Sequence, residues 1–127
     1  MNNKKIGTQF EREFCDLLAS RGYWVHFISP APNGAQPFDV IAVKNGKAWC
    51  YDCKTNAKRV FGMDRLEDNQ IMAFEKWMRC GNTIPRIAVK YDNRIYIVNY
   101  LILKEMQKIN LLKEDAVCVA DLTGNQI

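Results

Sequence analysis

Apolar residues recur at Ile6, Phe10, Phe14, Leu17 and Leu18, the spacing of a single helical stripe, and Arg21-Gly22 closes that helix. From Tyr23 to Ile28 the chain turns aromatic and β-branched, which predicts a strand. Residues 29–37 hold three prolines and a glycine and read as a loop whose composition suits a mobile flap as well as a connector. Phe38 to Lys44 and Lys47 to Lys54 are strand-like runs joined by Asn45-Gly46, a strong hairpin signal because both central residues of a type I′ turn need positive φ. Thr55 to Leu66 is polar and basic. Asp68 can cap a helix carrying Ile71, Phe74, Trp77 and Met78 and ending at Cys80-Gly81. Arg86 to Lys90 and Ile95 to Val98 predict two strands around an Asp92-Asn93 turn, Tyr100 to Lys108 a helix, and Ala116 to Asp121 a final strand. The order αβββαββα, with that last strand added, implies an α/β fold with a mixed sheet flanked by helices.

Composition narrows the reading. The 127 residues, 48% of them hydrophobic, are enough for one core and one domain, 1–127. Lys plus Arg number 18 against 14 Asp plus Glu, a net charge of +4. That leans weakly toward a polyanion. With three carboxylates sequestered around a cation the remaining surface would be 18 positive against 11 negative, and phosphate becomes the natural ligand. Five cysteines, an odd number, and an N-terminus without an apolar signal segment point to a reducing, cytoplasmic setting. The small size suits a phage or mobile-element protein acting in a host cytoplasm. No apolar run approaches the roughly 20 residues of a membrane span.

The hairpin also allows a deduction about chemistry. With Asn45 and Gly46 as the loop, Lys44 faces Lys47, each later pair advances by one, and Asp39 falls opposite Asp52. Facing carboxylates repel unless something compensates, and a divalent cation would do so. Lys54, two residues beyond Asp52, shares that face. Two carboxylates and a lysine outline a phosphodiester hydrolysis site. They equally describe a solvated sheet face on which Lys54 pairs with an aspartate.

Asp39 followed by Asp52-Cys53-Lys54 resembles the PD-(D/E)xK nuclease signature. The surroundings are similar to Holliday junction resolvases: Gly7-Thr-Gln-Phe-Glu-Arg-Glu-Phe14 with Leu17-Leu18 and Gly22-Tyr23 resembles the opening helix of the archaeal family, and Asp39-Val-Ile-Ala-Val, Asn45-Gly-Lys and Ile87-Ala-Val-Lys90 continue the likeness. Asp68-Asn69-Gln70 with Met72, and Tyr96, look more like the bacterial RecU type. The likeness spans roughly residues 7 to 98. Phe38 separates Pro37 from Asp39, and Asp52 stands where those resolvases often have Glu.

The resemblance implies a restriction-endonuclease-like fold and an endonuclease using Mg²⁺, with Mn²⁺ as a substitute, on branched DNA. Asp39, Asp52 and Glu11 would bind the metal, and Lys54 would position the attacking water or stabilise the phosphorane-like transition state. A homodimer follows because two symmetric cuts need two sites. Glu11 and Glu13 flank opposite edges of the helical stripe, and Thr8-Gln9-Phe10-Glu11 also fits a capping box in which Glu11 would serve only the backbone. Gln70 matches a polar position near the resolvase site, or is an exposed residue of a first helical turn. Lys4, Lys5, Lys58, Arg59 and Arg65 could meet DNA phosphates, or form a solvated basic surface. Cys50 and Cys53, three apart in a strand, project to opposite faces and suggest packing rather than zinc, and His26 suggests a core or interface residue rather than a general base. Two further readings keep the fold: a nuclease for duplex or flap DNA, and an inert DNA-binding module.

Overall fold

In a computed structural model, which describes residues 3–29 and 36–122 and side chains from Gln9 onward, the order is α1 (Asn3–Ser20), β1 (Trp24–Phe27), β2 (Val40–Lys44), β3 (Lys47–Thr55), β4 (Val60–Gly62), a 3₁₀ turn (Met63–Arg65), α2 (Asp68–Arg79), β5 (Arg86–Tyr91), β6 (Arg94–Asn99), α3 (Tyr100–Met106), β7 (Lys108–Asn110) and β8 (Ala116–Asp121). Six strands form one sheet in the order β1-β2-β3-β5-β6-β8, and β4 pairs with β7 in a small ribbon. The sheet is mixed: β3 and β5 run parallel, joined by the crossover through α2, and every other pair is antiparallel.

Strand alternation divides the core into two layers. Val40, Ala42, Tyr51 and Ala88 face Phe10, Phe14 and Leu18 of α1. Cys50, Ile87, Val89 and Val98 face the other way, toward Phe74 of α2 and Leu103 of α3. Phe14 and Phe74 are fully buried, and truncating a phenylalanine so placed costs about 3–5 kcal/mol. Left-handed residues close the segments where expected: Gly22 (φ 88°) after α1, Asn45 (53°) and Gly46 (76°) in the hairpin, Gly81 (84°) after α2, and Asp92 (50°) with Asn93 (59°) between β5 and β6.

Several boundaries differ from the pattern-based expectation. Helix α1 begins at Asn3, so Thr8 is a helix-interior position and cannot be the cap that a Thr8–Glu11 box requires. Helix α2 is capped by Glu67 rather than by Asp68, which is its first helical residue. Helix α3 stops at Met106, with Gln107 at φ 68°, and the chain then forms β7. The stretch after Lys54 is not plain loop: it contains β4 and the 3₁₀ turn. No helix among the described residues is long and apolar enough to cross a membrane.

Candidate active site

The polar end of β3 is where the fold concentrates unusual chemistry. Asp52 is completely buried, and the Lys54 ammonium lies 3.2 Å from its Oδ2. Gln70, in the first turn of α2, donates from Nε2 to Asp52 Oδ1 at 2.9 Å, and its Oε1 accepts from Lys54 Nζ at 3.3 Å and from the Glu67 backbone N–H at 2.9 Å. The last of these is half of the Glu67–Gln70 capping box. A side chain that might have been merely exposed is buried, and it locks the start of α2 to the Asp52–Lys54 pair. Asp52 Oδ2 accepts no hydrogen bond despite being buried. Burial, then the nearby charge of Asp39, push the Asp52 carboxyl well above its usual range, against the opposing pull of Lys54.

Asp39 reaches this cluster by a different route from the one the hairpin register suggests. The β2–β3 ladder has the expected pairing from Lys44↔Lys47 to Val40↔Tyr51 and ends there. The Asp39 amide donates to the Tyr51 carbonyl (3.0 Å) instead of lying across from Asp52, and the Asp39 carbonyl accepts from the Ile28 amide at 2.8 Å. This one-residue offset lets Asp39 Oδ2 accept the Cys53 backbone N–H at 2.7 Å. The carboxylate is therefore held by a backbone donor rather than simply opposed by a like charge.

Helix α1 separates its two glutamates. Glu13 is paired with Lys90 of β5 at 3.0 Å. Glu11 is within electrostatic reach of Asp39 and Lys54: burial, and secondarily Asp39, raise its pKa from 4.5 to about 7, with Lys54 acting in the opposite sense. Among the described residues no three His, Cys, Asp or Glu side chains already sit together at metal-binding separations. The donor set nevertheless fits a hard cation, because all three carboxylates supply oxygen and the buried Asp52 Oδ2 is met by the Lys54 ammonium at 3.2 Å without a well-aligned hydrogen bond. The thiols do not fit one. Burial pushes Cys50 up to about 12 and raises Cys53 as well, so both stay protonated, and they pack in opposite core layers.

Comparison with known proteins gives the family. Residues 2–125 match the family model described as archaeal Holliday junction resolvase (Hjc). The chain belongs to the archaeal Holliday junction resolvase family. It is similar to the crossover junction endodeoxyribonuclease Hjc of Methanocaldococcus jannaschii, with 27% identity over 114 residues, 90% of this chain and 80% of that one. Its fold is similar to that of Archaeoglobus fulgidus Hjc, described as a Holliday junction resolvase from an archaeal hyperthermophile (TM-score 0.63, 17% identity, 91% of this chain and 88% of that one). The mixed sheet flanked by helices is thus the fold of the Hjc resolvases.

The basic residues of this family member divide by what they touch. Lys58 and Arg59 are exposed on a turn after β3 whose backbone is firmly held: Asn56 Nδ2 donates to the carbonyls of Lys58 (2.6 Å) and Val60 (2.9 Å), and Leu111 N donates to the Arg59 carbonyl (2.7 Å). Arg65 is committed to the protein, donating to Asn56 Oδ1 and, at 2.9 Å, to the Thr55 carbonyl, with its guanidinium over the Phe61 ring. The side chains of Lys4 and Lys5 lie outside the described residues. Two supports had no signature in sequence spacing. Asn69 donates to the Gln36 carbonyl (3.0 Å) and fixes the approach to Asp39, while Glu13–Lys90 ties α1 to the sheet. Both are contacts across 33 or more positions, beyond the reach of local periodicity.

Proposed function

We propose that this chain is a Mg²⁺-dependent, structure-selective DNA endonuclease that cuts four-way junctions as a homodimer, with Mn²⁺ able to replace Mg²⁺. The observation that carries this reading is the buried Asp52, bound through one oxygen to Gln70, facing Lys54 through the other and flanked by Asp39 and Glu11, within a Holliday junction resolvase family. Asp39, Asp52 and Glu11 would hold the metal. When bound, such an ion polarises the phosphoryl oxygen and lowers the pKa of a coordinated water.

The chain's own residues do the rest. Lys54 stands at the mouth of the site, 17% exposed, where its ammonium can orient the attacking water or neutralise charge growing on the phosphate oxygens. Gln70 keeps Asp52 and Lys54 in one geometry and so acts as a positioning residue. Lys58 and Arg59 offer charge to the DNA backbone beyond β3. Two symmetric cuts need two such sites, which the homodimer supplies.

The test is cleavage of a synthetic four-way junction against a matched linear duplex and a flap, in Mg²⁺ and in EDTA. The expected result is paired nicks in the junction, in Mg²⁺ only. Equal cleavage of duplex or flap would transfer the protein to a restriction- or repair-type substrate. Binding in Ca²⁺ without cleavage in Mg²⁺ would make it an inert binding module.

A further inference from the structure

Strand β1 forms one edge of the main sheet, and its alternation leaves an aromatic pair uncovered. Val25 packs toward α1, while Trp24 and His26 occupy the opposite face. Trp24 is 62% exposed, and its ring lies nearly parallel to that of His26, 7° apart in plane with centroids 6.0 Å apart. An indole held flat by a neighbouring ring, with its other side open, is a surface on which a further planar ring can stack.

Register relates that surface to the cutting residues. His26 faces Ile41, and Ile41 faces Cys50. Facing residues project to one side, and Asp52 and Lys54 follow Cys50 at the period of two, so the aromatic pair and the Asp52–Lys54 pair share one face of the sheet. Ile28, whose amide bonds the Asp39 carbonyl, is two residues beyond His26 and four beyond Trp24. At about 3.3 Å per residue the two rings start roughly 7 and 13 Å along the strand from the level of Asp39. That is about two to four base steps of a duplex at 3.4 Å each.

Ring chemistry and the lack of nearby carboxylates indicate what meets the rings. The segments forming this corner, residues 21–29 and 40–51, contain Arg21, Lys44 and Lys47 and no Asp or Glu. Lys44, held by the Arg21 carbonyl at 2.6 Å over the Tyr23 ring, projects with its cross-strand partner Lys47 to the α1 face, so the face that carries Trp24 and His26 is aromatic and uncharged along this stretch of β1 and β2. Open aromatic rings on the face that also carries the Asp52–Lys54 pair, with no carboxylate in the flanking segments to repel a polyanion, match a ligand that offers planar bases.

We propose that Trp24, backed by His26, is a stacking platform for an unpaired base of branched DNA near the cut. This rests on the nuclease reading above and deepens it by giving a source of structure selectivity. In a matched duplex every base already has stacking and pairing partners, so an external ring gains little. At a branch point a base can leave the stack at lower cost.

The experiment uses the full chain in Ca²⁺, with a synthetic four-way junction and a matched duplex as probes. Trp24→Ala should weaken junction binding about 5- to 100-fold, with duplex binding changed less than about twofold, and Trp24→Phe should recover most of the loss. Since Trp24 is exposed, its melting temperature should stay within about 1–2 °C of wild type. Independently, wild-type tryptophan emission should be quenched by the junction more than by the duplex, and Trp24→Phe, which retains Trp49 and Trp77, should lose that difference. Equal weakening for both DNAs, unchanged binding, or no emission difference overturns the platform. So does a smaller oligomer in Trp24→Ala, which would make this face a protein interface. If wild type itself neither prefers nor cuts the junction in Mg²⁺, the nuclease reading fails instead, and the two failures are separable.

Discussion

Asp52 and Lys54 at the end of β3, and Lys58, Arg59 and Arg65 just after it, belong to one polar stretch of sequence, yet the fold treats them in opposite ways. The first two are drawn inward, where the buried Asp52 has one oxygen met only by the Lys54 ammonium among the described contacts and a carboxyl raised well above its usual range. The others stand in solvent on a turn whose backbone is satisfied by Asn56 and Leu111, and one of them, Arg65, is spent on bracing that turn. Buried polar groups left incompletely paired are costly, so a fold that retains them at one corner and satisfies the adjacent segment points to that corner as the place for a ligand.

The sharpest test of the contrast is substitution in the buried corner. Asp52→Asn and Lys54→Ala should each reduce junction cleavage in Mg²⁺ by at least about 10²–10³-fold with binding in Ca²⁺ nearly unchanged, because both act on the transition state. Near-wild-type cleavage in either variant would remove the corner from the chemistry. Gln70→Ala should cost about 10- to 100-fold in cleavage, the scale of a lost positioning contact, together with a modest fall in melting temperature from the broken capping box. A stability loss without a cleavage loss would reduce Gln70 to a helix cap.

Glu11 gives a smaller, pH-dependent effect. Its carboxyl titrates near 7 in the folded state against 4.5 ordinarily, so between those values the folded protein holds a proton that the unfolded chain has lost. Stability from this group is therefore complete below about 4.5 and disappears as pH rises through about 7. Denaturant melts in EDTA should register a decline of about 1–2 kcal/mol over that range, reduced from the full linkage value because the Glu11 side chain is only partly buried and solvent screens it. Asp52 adds a decline of the same sign, so Glu11→Gln should flatten the profile in part. An unchanged profile would place Glu11 outside the cluster.

The exposed turn should respond most gently. Lys58→Ala with Arg59→Ala should lower the slope of log affinity against log salt by about one to two units while leaving the melting temperature unchanged. Arg65→Ala should do the reverse, lowering melting by about 3–6 °C with little change in slope. A salt effect at Arg65 equal to that of the pair would erase the distinction drawn between them.

The sequence by itself determined the elements whose signals are local. The 3.6-residue stripe of Phe10, Phe14 and Leu18, the Asn45-Gly46 turn and the period of two along β3 required only neighbours to be read, and together they placed Lys54 beside Asp52 and set the β2–β3 register from Lys44 to Val40. The family resemblance pointed to Glu11 and Gln70, whose positions along a helix left their roles open. Tertiary structure decided what depends on distant partners. Lys90 took Glu13 and left Glu11 to the cluster, and Gln70 was buried against Asp52 although first helical turns are commonly exposed. A one-residue offset turned Asp39 onto the Cys53 amide, because the Asp39 backbone bonds to Ile28 just beyond β1 and to Tyr51 of β3 instead of continuing the ladder. The β4–β7 ribbon joins three-residue strands nearly fifty positions apart, too short for any period to announce and held only because the rest of the chain brings them together.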